Sequence, residues 1–151
     1  MYLQITNNDI TYGLYENKRL FINSSSGGGA TVPITNEMVE TAYLVAERVF
    51  AGELTRSEGK EKISTATGMK IGSANDYVTV FLDMMAGKEY HRTINSYATR
   101  YYLENIKIDF GVEAFNKAIE AAHKHTQYYR ALGRGNLTGI EQMIKELRDK
   151  L

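Results

Sequence analysis

Cysteine and tryptophan are both absent from this sequence, and Pro33 is its only proline. Without cysteine the chain has no disulfide, no thiolate nucleophile and no cysteine-ligated zinc or iron–sulfur centre. The first residues, MYLQITNND, lack the basic and then apolar pattern of a signal peptide, and no apolar run reaches membrane-spanning length. We therefore expect a cytoplasmic protein that does not enter a membrane.

Net charge is also lacking, because 18 acidic residues balance 18 basic residues. Proteins that coat nucleic acid through charge alone usually have a basic excess, so this class is disfavoured. A specific DNA-binding protein with one local basic surface remains consistent with the composition. Residues 86–134 contain more basic than acidic residues and all three histidines. A positive surface is therefore expected in the second half of the chain.

The first 30 residues differ in pattern from the rest. Residues 1–23 contain three short alternating stretches separated by turn signals, which predict a three-stranded β-meander. Residues 24–30, SSSGGGA, have the composition of a flexible tether. A phosphate-binding glycine loop is the less favoured alternative, because the downstream Lys-Ser/Thr is missing and no helix follows directly.

Apolar residues recur every three or four positions after Pro33, a spacing that predicts helices. Thr35 is the predicted N-cap of the first helix, and residues 112–132 form the longest predicted helix. The predicted fold class is α+β and mostly α. It has a β-meander and tether in residues 1–30 and a bundle of about six helices in residues 31–151.

Residues 54–85 have the outline of a helix-turn-helix. The first predicted helix has Ile63 and Ala66 on its inner face and stops at Gly68. The turn is predicted at residues 69–72, and Ser73 is the predicted N-cap of the second helix. In DNA-binding proteins with this motif the second helix enters the major groove. An ordinary helical hairpin within a bundle is the alternative.

Candidate DNA-contacting residues follow from this interpretation. Asn can pair with adenine, Ser or Thr can contact phosphates or base edges, and basic side chains can hold the backbone. Thr93 is a plausible helix N-cap after Arg92, and such a helix start could hold a phosphate. Asp76 would repel phosphates. The predicted nucleic-acid-binding residues are Lys70, Ser73, Asn75, Thr79, Arg92 and Arg100.

The tyrosines and histidines allow other interpretations. Tyr90, Tyr97, Tyr101 and Tyr102 alternate with arginines and could stack on bases, although a place in the core or at its rim is favoured for each. His123 and His125 project about 200° apart on a helix, so they cannot bind the same metal ion. We find no catalytic motif, and we predict no metal and no cofactor.

Part of the second half resembles a known module. The matching residues are Ser73-Ala74-Asn75-Asp76-Tyr77, Phe81, Met84, Gly87, Tyr90, Arg92-Thr93, Ala98-Thr99, Tyr101-Tyr102-Leu103, Ile106, Asp109-Phe110-Gly111, His125 and Tyr128-Tyr129. They resemble a helical accessory module that precedes the nuclease in bacterial HNH-type restriction endonucleases. The resemblance implies DNA recognition, and with it the sensing of a modified base.

The sequence departs from that family, because it has no zinc-binding cysteine pairs and no ββα-metal histidine pattern. The resemblance therefore implies a non-catalytic recognition module of a restriction or phage-defence system. Its expected partners are double-stranded DNA and a nuclease partner or domain. The alternative is a protein–protein adaptor or a homo-oligomeric regulatory protein, such as a homodimer, that does not bind DNA. Neutral charge and frequent tyrosine suit that alternative. An enzyme acting on a small molecule has no positive feature in its favour.

Overall fold

The computed structural model describes residues 33–150 of the chain. These residues form six helices: α1 (Asn36–Phe50), α2 (Arg56–Thr67), α3 (Ile71–Ala86), α4 (Ser96–Phe110), α5 (Val112–Ala131) and α6 (Thr138–Asp149). Within these same residues, no helix is both long and apolar enough to cross a lipid bilayer. The predicted bundle of about six helices is confirmed.

The predicted α+β class is wrong, because residues 33–150 contain helices and no strand. Apolar residues recur with helical spacing throughout this part of the chain, so every element buries one helical face. The strand prediction depended only on residues 1–23. The predicted β-meander and its tether, residues 1–30, lie outside the described residues.

Side-chain caps define the starts of the first two helices. Thr35 accepts a hydrogen bond from the backbone N–H of Met38 at 3.2 Å, so the predicted cap of α1 is confirmed. At the start of α2, the Thr55 hydroxyl accepts from the Glu58 N–H and the Glu58 carboxylate accepts from the Thr55 N–H. This reciprocal capping box stabilises a polar helix that would be marginal in isolation.

The connection between α2 and α3 is shorter than predicted. It consists of residues 68–70, and Gly68 adopts a left-handed φ of 85°. Met69 is buried, and this keeps the connection close against the core. The predicted N-cap at Ser73 is therefore wrong: α3 begins at Ile71, and Lys70 occupies the cap position without a side-chain cap.

Helix α3 lies at the centre of the bundle. It packs against α1, α2 and α5, while α4 contributes a hydrogen bond from the Tyr102 hydroxyl to the Tyr77 carbonyl at 3.2 Å. Edge-on aromatic contacts join Phe81 to Tyr43 at 5.3 Å and to Tyr102 at 5.9 Å. The buried residues of α3 are Ala74, Tyr77, Val78, Val80, Phe81 and Met84. One side of α3 is therefore buried against the neighbouring helices.

Helices α1 and α2 approach each other closely at Gly59. A Cβ atom at this position would lie 2.6 Å from Cγ2 of Val49, which is too close for any side chain without a shift of the neighbour. Gly59 is buried within α2. Glycine normally weakens a helix interior, so its presence here is explained by this contact.

Two glycines of the α2–α3 region should respond in opposite directions to alanine. Gly68→Ala places a Cβ on a left-handed residue and should destabilise the fold by about 1 kcal/mol. Gly72→Ala adds a Cβ in open space within α3 and should be neutral or stabilising by up to about 1 kcal/mol. Urea unfolding followed by circular dichroism measures both changes. Equal effects of the two substitutions would contradict the assigned turn.

Candidate nucleic-acid interface

The side of α3 that faces away from Phe81 carries polar residues. Asn75, Asp76, Thr79 and Asp83 are all partly exposed, and their spacing places them along one side of the helix. We call these four residues the polar strip. Because these four residues are partly exposed, α3 is accessible to solvent along one side.

Ser73 does not belong to the polar strip. At 100° per residue it lies between the positions of Tyr77 and Val80, which are both buried. Its side chain is partly exposed, as those of the strip are, but it projects from a different side of the helix. Of the three candidate residues on α3, the structure therefore places Asn75 and Thr79 together and Ser73 apart from them.

Basic side chains from two other segments reach the strip. The Arg92 Nε atom lies 3.5 Å from Oδ1 of Asp76, and the Arg92 side chain is 72% exposed. Arg56, at the start of α2, donates a hydrogen bond to the Thr79 hydroxyl. Most of the Arg92 side chain thus remains available to a ligand, and its Nε atom lies beside Asp76.

Asp83 completes the strip and is partly buried. Burial raises the pKa of Asp83, whereas the nearby charges of Lys88, Arg56 and His91 act to lower it. Lys70 is exposed in the connection before α3. The polar strip therefore has two carboxylates, and basic groups lie beside both of them.

Arg100 lies against a different helix. Its guanidinium donates to Glu146 of α6 at 3.0 Å and to Glu104 at 3.4 Å. The hydrogen bond to Glu146 is the main cause of the raised pKa of Arg100. Because α6 packs on α4 and α5, the structure does not bring Arg100 to Arg92 beside α3.

The loop that carries Arg92 is anchored on α5. Tyr90 is buried, and its ring stacks on the His125 ring with 4.4 Å between centroids. His125 Nδ1 lies 2.6 Å from the Tyr90 carbonyl oxygen, and His125 Nε2 lies 3.0 Å from the Thr93 hydroxyl. These contacts fix the backbone on both sides of Arg92.

The contacts of Thr93 also correct its predicted role. The N-cap of α4 is Asn95, whose side chain accepts from the Ala98 N–H at 2.8 Å, and the helix begins at Ser96. The Thr93 hydroxyl instead contacts Nε2 of His125. The helix start predicted directly after Arg92 is therefore wrong.

Two of the four tyrosines considered for base stacking lie in the core, whereas Tyr97 is exposed. Tyr90 and Tyr102 are buried and cannot stack on bases. The Tyr97 hydroxyl donates to Glu40 at 2.9 Å. A second stacked pair, His91 on Tyr128 at 3.9 Å, holds the loop from its exposed side.

Two of the histidines have different environments, as their spacing predicts. His125 is buried beneath the loop, whereas His123 lines an open groove of about 340 Å³ between α5 and α6. Among residues 33–150, no group of three His, Asp or Glu side chains is placed to hold a metal ion.

Sequence patterns alone missed an acidic cluster at the ends of α1 and α4. The Tyr43 hydroxyl donates to Oδ2 of Asp109 at 2.9 Å. Burial, followed by the neighbouring Asp109 carboxyl, raises the pKa of Glu47 to about 8. The four-residue spacing of Tyr43 and Glu47 places both on one face of α1, but only the folded chain brings Asp109 to them.

Comparison with known proteins found no matching family model, no similar curated protein and no similar solved structure.

The buried His125 should make stability depend on pH. Burial lowers its pKa, so the unfolded chain binds the proton more readily. Its neutral form therefore contributes stability above the unfolded value of about 6.5, and this contribution is lost as pH falls through the folded pKa. We expect His125→Asn to cost about 1–3 kcal/mol at pH 8 through lost hydrogen bonds. It should also flatten the decline on the acid side of about 6.5.

Urea unfolding at several pH values from about 8 to 5 measures the free energy of unfolding of the wild type and of His125→Asn. His123→Asn, on the same helix, is the control. An acid-side slope that persists unchanged in His125→Asn would contradict the role given to His125.

Glu47 should change the pH dependence of stability in the opposite direction from His125. Its folded pKa of about 8 lies above its ordinary value of 4.5, so its stabilising contribution is complete below pH 4.5 and is lost as pH rises through 8. Glu47→Gln removes this loss. Because the site is partly exposed and solvent screens the charges, we expect a gain of about 1–2 kcal/mol at pH 9 and little change at pH 4.5.

Glu37→Gln, on an exposed position of the same helix, is the matched control. If Glu47→Gln proves no more stable than wild type at high pH, the assigned acidic cluster is wrong.

Proposed function

We propose that this chain is a DNA-recognition module in which α3 enters the major groove. Asn75 and Thr79 would face base edges, while Lys70 and Arg92 would contact the phosphate backbone. The observation that carries the proposal is the partly exposed polar strip on α3, directly after a three-residue connection that begins with a left-handed glycine.

Rigidity of the helical hairpin supports the proposal. Side chains that recognise bases must be held by packing and hydrogen bonds. Here α3 is packed on its opposite side by three helices, and Arg56 ties α2 directly to Thr79. The groove-facing side chains would therefore project from a fixed support.

The two carboxylates of the strip are compatible with this proposal. Asp76 and Asp83 repel phosphate, so weak binding to any sequence is reduced. Asp76 also contacts Arg92, which fixes the direction of a side chain that is otherwise largely exposed. Such a surface would favour specific binding over general affinity, in agreement with the zero net charge of the chain.

The sequence resemblance to the accessory module of HNH-type restriction endonucleases suggests a setting for this activity. We propose that the chain recognises DNA within a restriction or phage-defence system and that a nuclease partner or domain performs cleavage. A modified base is a suitable target class, because a helix in the major groove can contact substituents on base edges.

Selection from a random-sequence DNA duplex library, with and without methylated bases, tests the proposal on the full chain. For the best duplex, Asn75→Ala should cost about 1–3 kcal/mol of binding free energy and relax sequence preference. Arg92→Gln should weaken binding across sequences and reduce the salt slope by about one.

Arg100→Gln is the matched control, because Arg100 pairs with α6. Fluorescence anisotropy at several salt concentrations measures all three variants. Failure to enrich any duplex, together with a concentration-dependent dimer that ignores DNA in analytical ultracentrifugation, would favour the adaptor alternative.

A further inference from the structure

Two phenylalanines lie side by side on the surface where α1 and α4 end. Phe50 is 47% exposed and Phe110 is 38% exposed, and their rings meet edge-on at 5.7 Å. Both also contact the buried ring of Phe81 beneath them. Glu47 lies one turn before Phe50, and Asp109 directly precedes Phe110. We call Glu47, Phe50, Asp109 and Phe110 the α1–α4 patch.

The charges of this patch favour a cationic ligand. The groups that act on the Glu47 carboxyl are Asp109 and Tyr43, and no basic side chain of residues 33–150 is among them. Burial and the neighbouring Asp109 disfavour the charged form of Glu47, and a Lys or Arg side chain placed beside this pair would favour that form. Exposed aromatic rings beside them can also contact a guanidinium or ammonium group.

We propose that the α1–α4 patch is the docking surface for residues 18–22 of the same chain. This segment reads Lys-Arg-Leu-Phe-Ile and contains both basic residues found in residues 1–32. Its cations match the carboxyl pair, and its three apolar side chains match Phe50 and Phe110. The segment thus combines, in five residues, the two chemistries that the patch presents.

The connecting chain is long enough for this contact. Helix α1 has 15 residues, so Phe50 lies about 21 Å along its axis from Asn36. Residues 23–32 could span about 33 Å if extended. Because the segment is tethered, its effective concentration at the patch would be far higher than that of a separate protein.

This proposal does not depend on DNA binding. Phe81, which underlies the patch, and Thr79 of the polar strip project about 200° apart on α3. The patch therefore lies on the other side of α3 from the proposed DNA-contacting residues, and each proposal can fail alone.

Disulfide trapping tests the proposal in the full chain, which has no native cysteine. Asn23→Cys is combined with Ile108→Cys, an exposed position beside the patch, and both partners of the proposed contact are kept. Asn23→Cys with Gln142→Cys, on an exposed position of α6, is the matched control. In a glutathione buffer, the patch pair should form an intramolecular disulfide at least about tenfold faster than the control pair.

Two further variants test the chemistry of the contact. Adding Lys18→Gln and Arg19→Gln, or adding Phe21→Ala, should slow trapping at Ile108→Cys several-fold and leave the α6 control unchanged. Circular dichroism confirms that each variant is folded. Equal trapping rates at the two positions would overturn the proposal. Disulfides mainly between two molecules would overturn it also, because the patch would then meet a second copy.

Discussion

The burial of α3 on one side by α1, α2 and α5 is the constraint on which the rest of the structure depends. A helix with three neighbours has only a narrow sector left for polar groups, and here that sector is the polar strip. The same packing gives the strip its rigidity. The short connection at residues 68–70 follows from it too, since Met69 must reach the core within one residue of Gly68.

The loop between α3 and α4 carries a basic side chain, and this loop is also held by packing against the bundle. Arg92 is mostly in solvent, yet Tyr90 and Thr93 on either side of it are bonded to His125. Because His125 is buried in α5, the loop segments on both sides of this exposed guanidinium are held by contacts with the interior of the bundle.

Helical spacing predicted the helices well, because each buries one face and the first five end within two residues of a glycine. The predicted helix boundaries were less accurate. The N-caps predicted at Ser73 and Thr93 lie instead at Lys70 and Asn95. The tertiary contacts of Met69 and His125 account for these differences, and local sequence patterns do not show them. Which of the site residues lie together could not be predicted from the sequence, because this depends on how the helices pack. Spacing on α3 joins Asn75 to Thr79, but no local pattern indicates that Arg100 pairs with α6 or that Asp109 meets Glu47.

The missing side chain at Gly59 has a consequence for how this surface could diversify. Val49 occupies the space that a larger residue would need, so a replacement must either displace the Val49 side chain or move α2 relative to α1. Arg56 lies one turn before Gly59 and donates to Thr79, so such a movement would withdraw this cation from α3. Steric bulk at one buried position can therefore alter which groups α3 presents without the replacement of any solvent-facing residue.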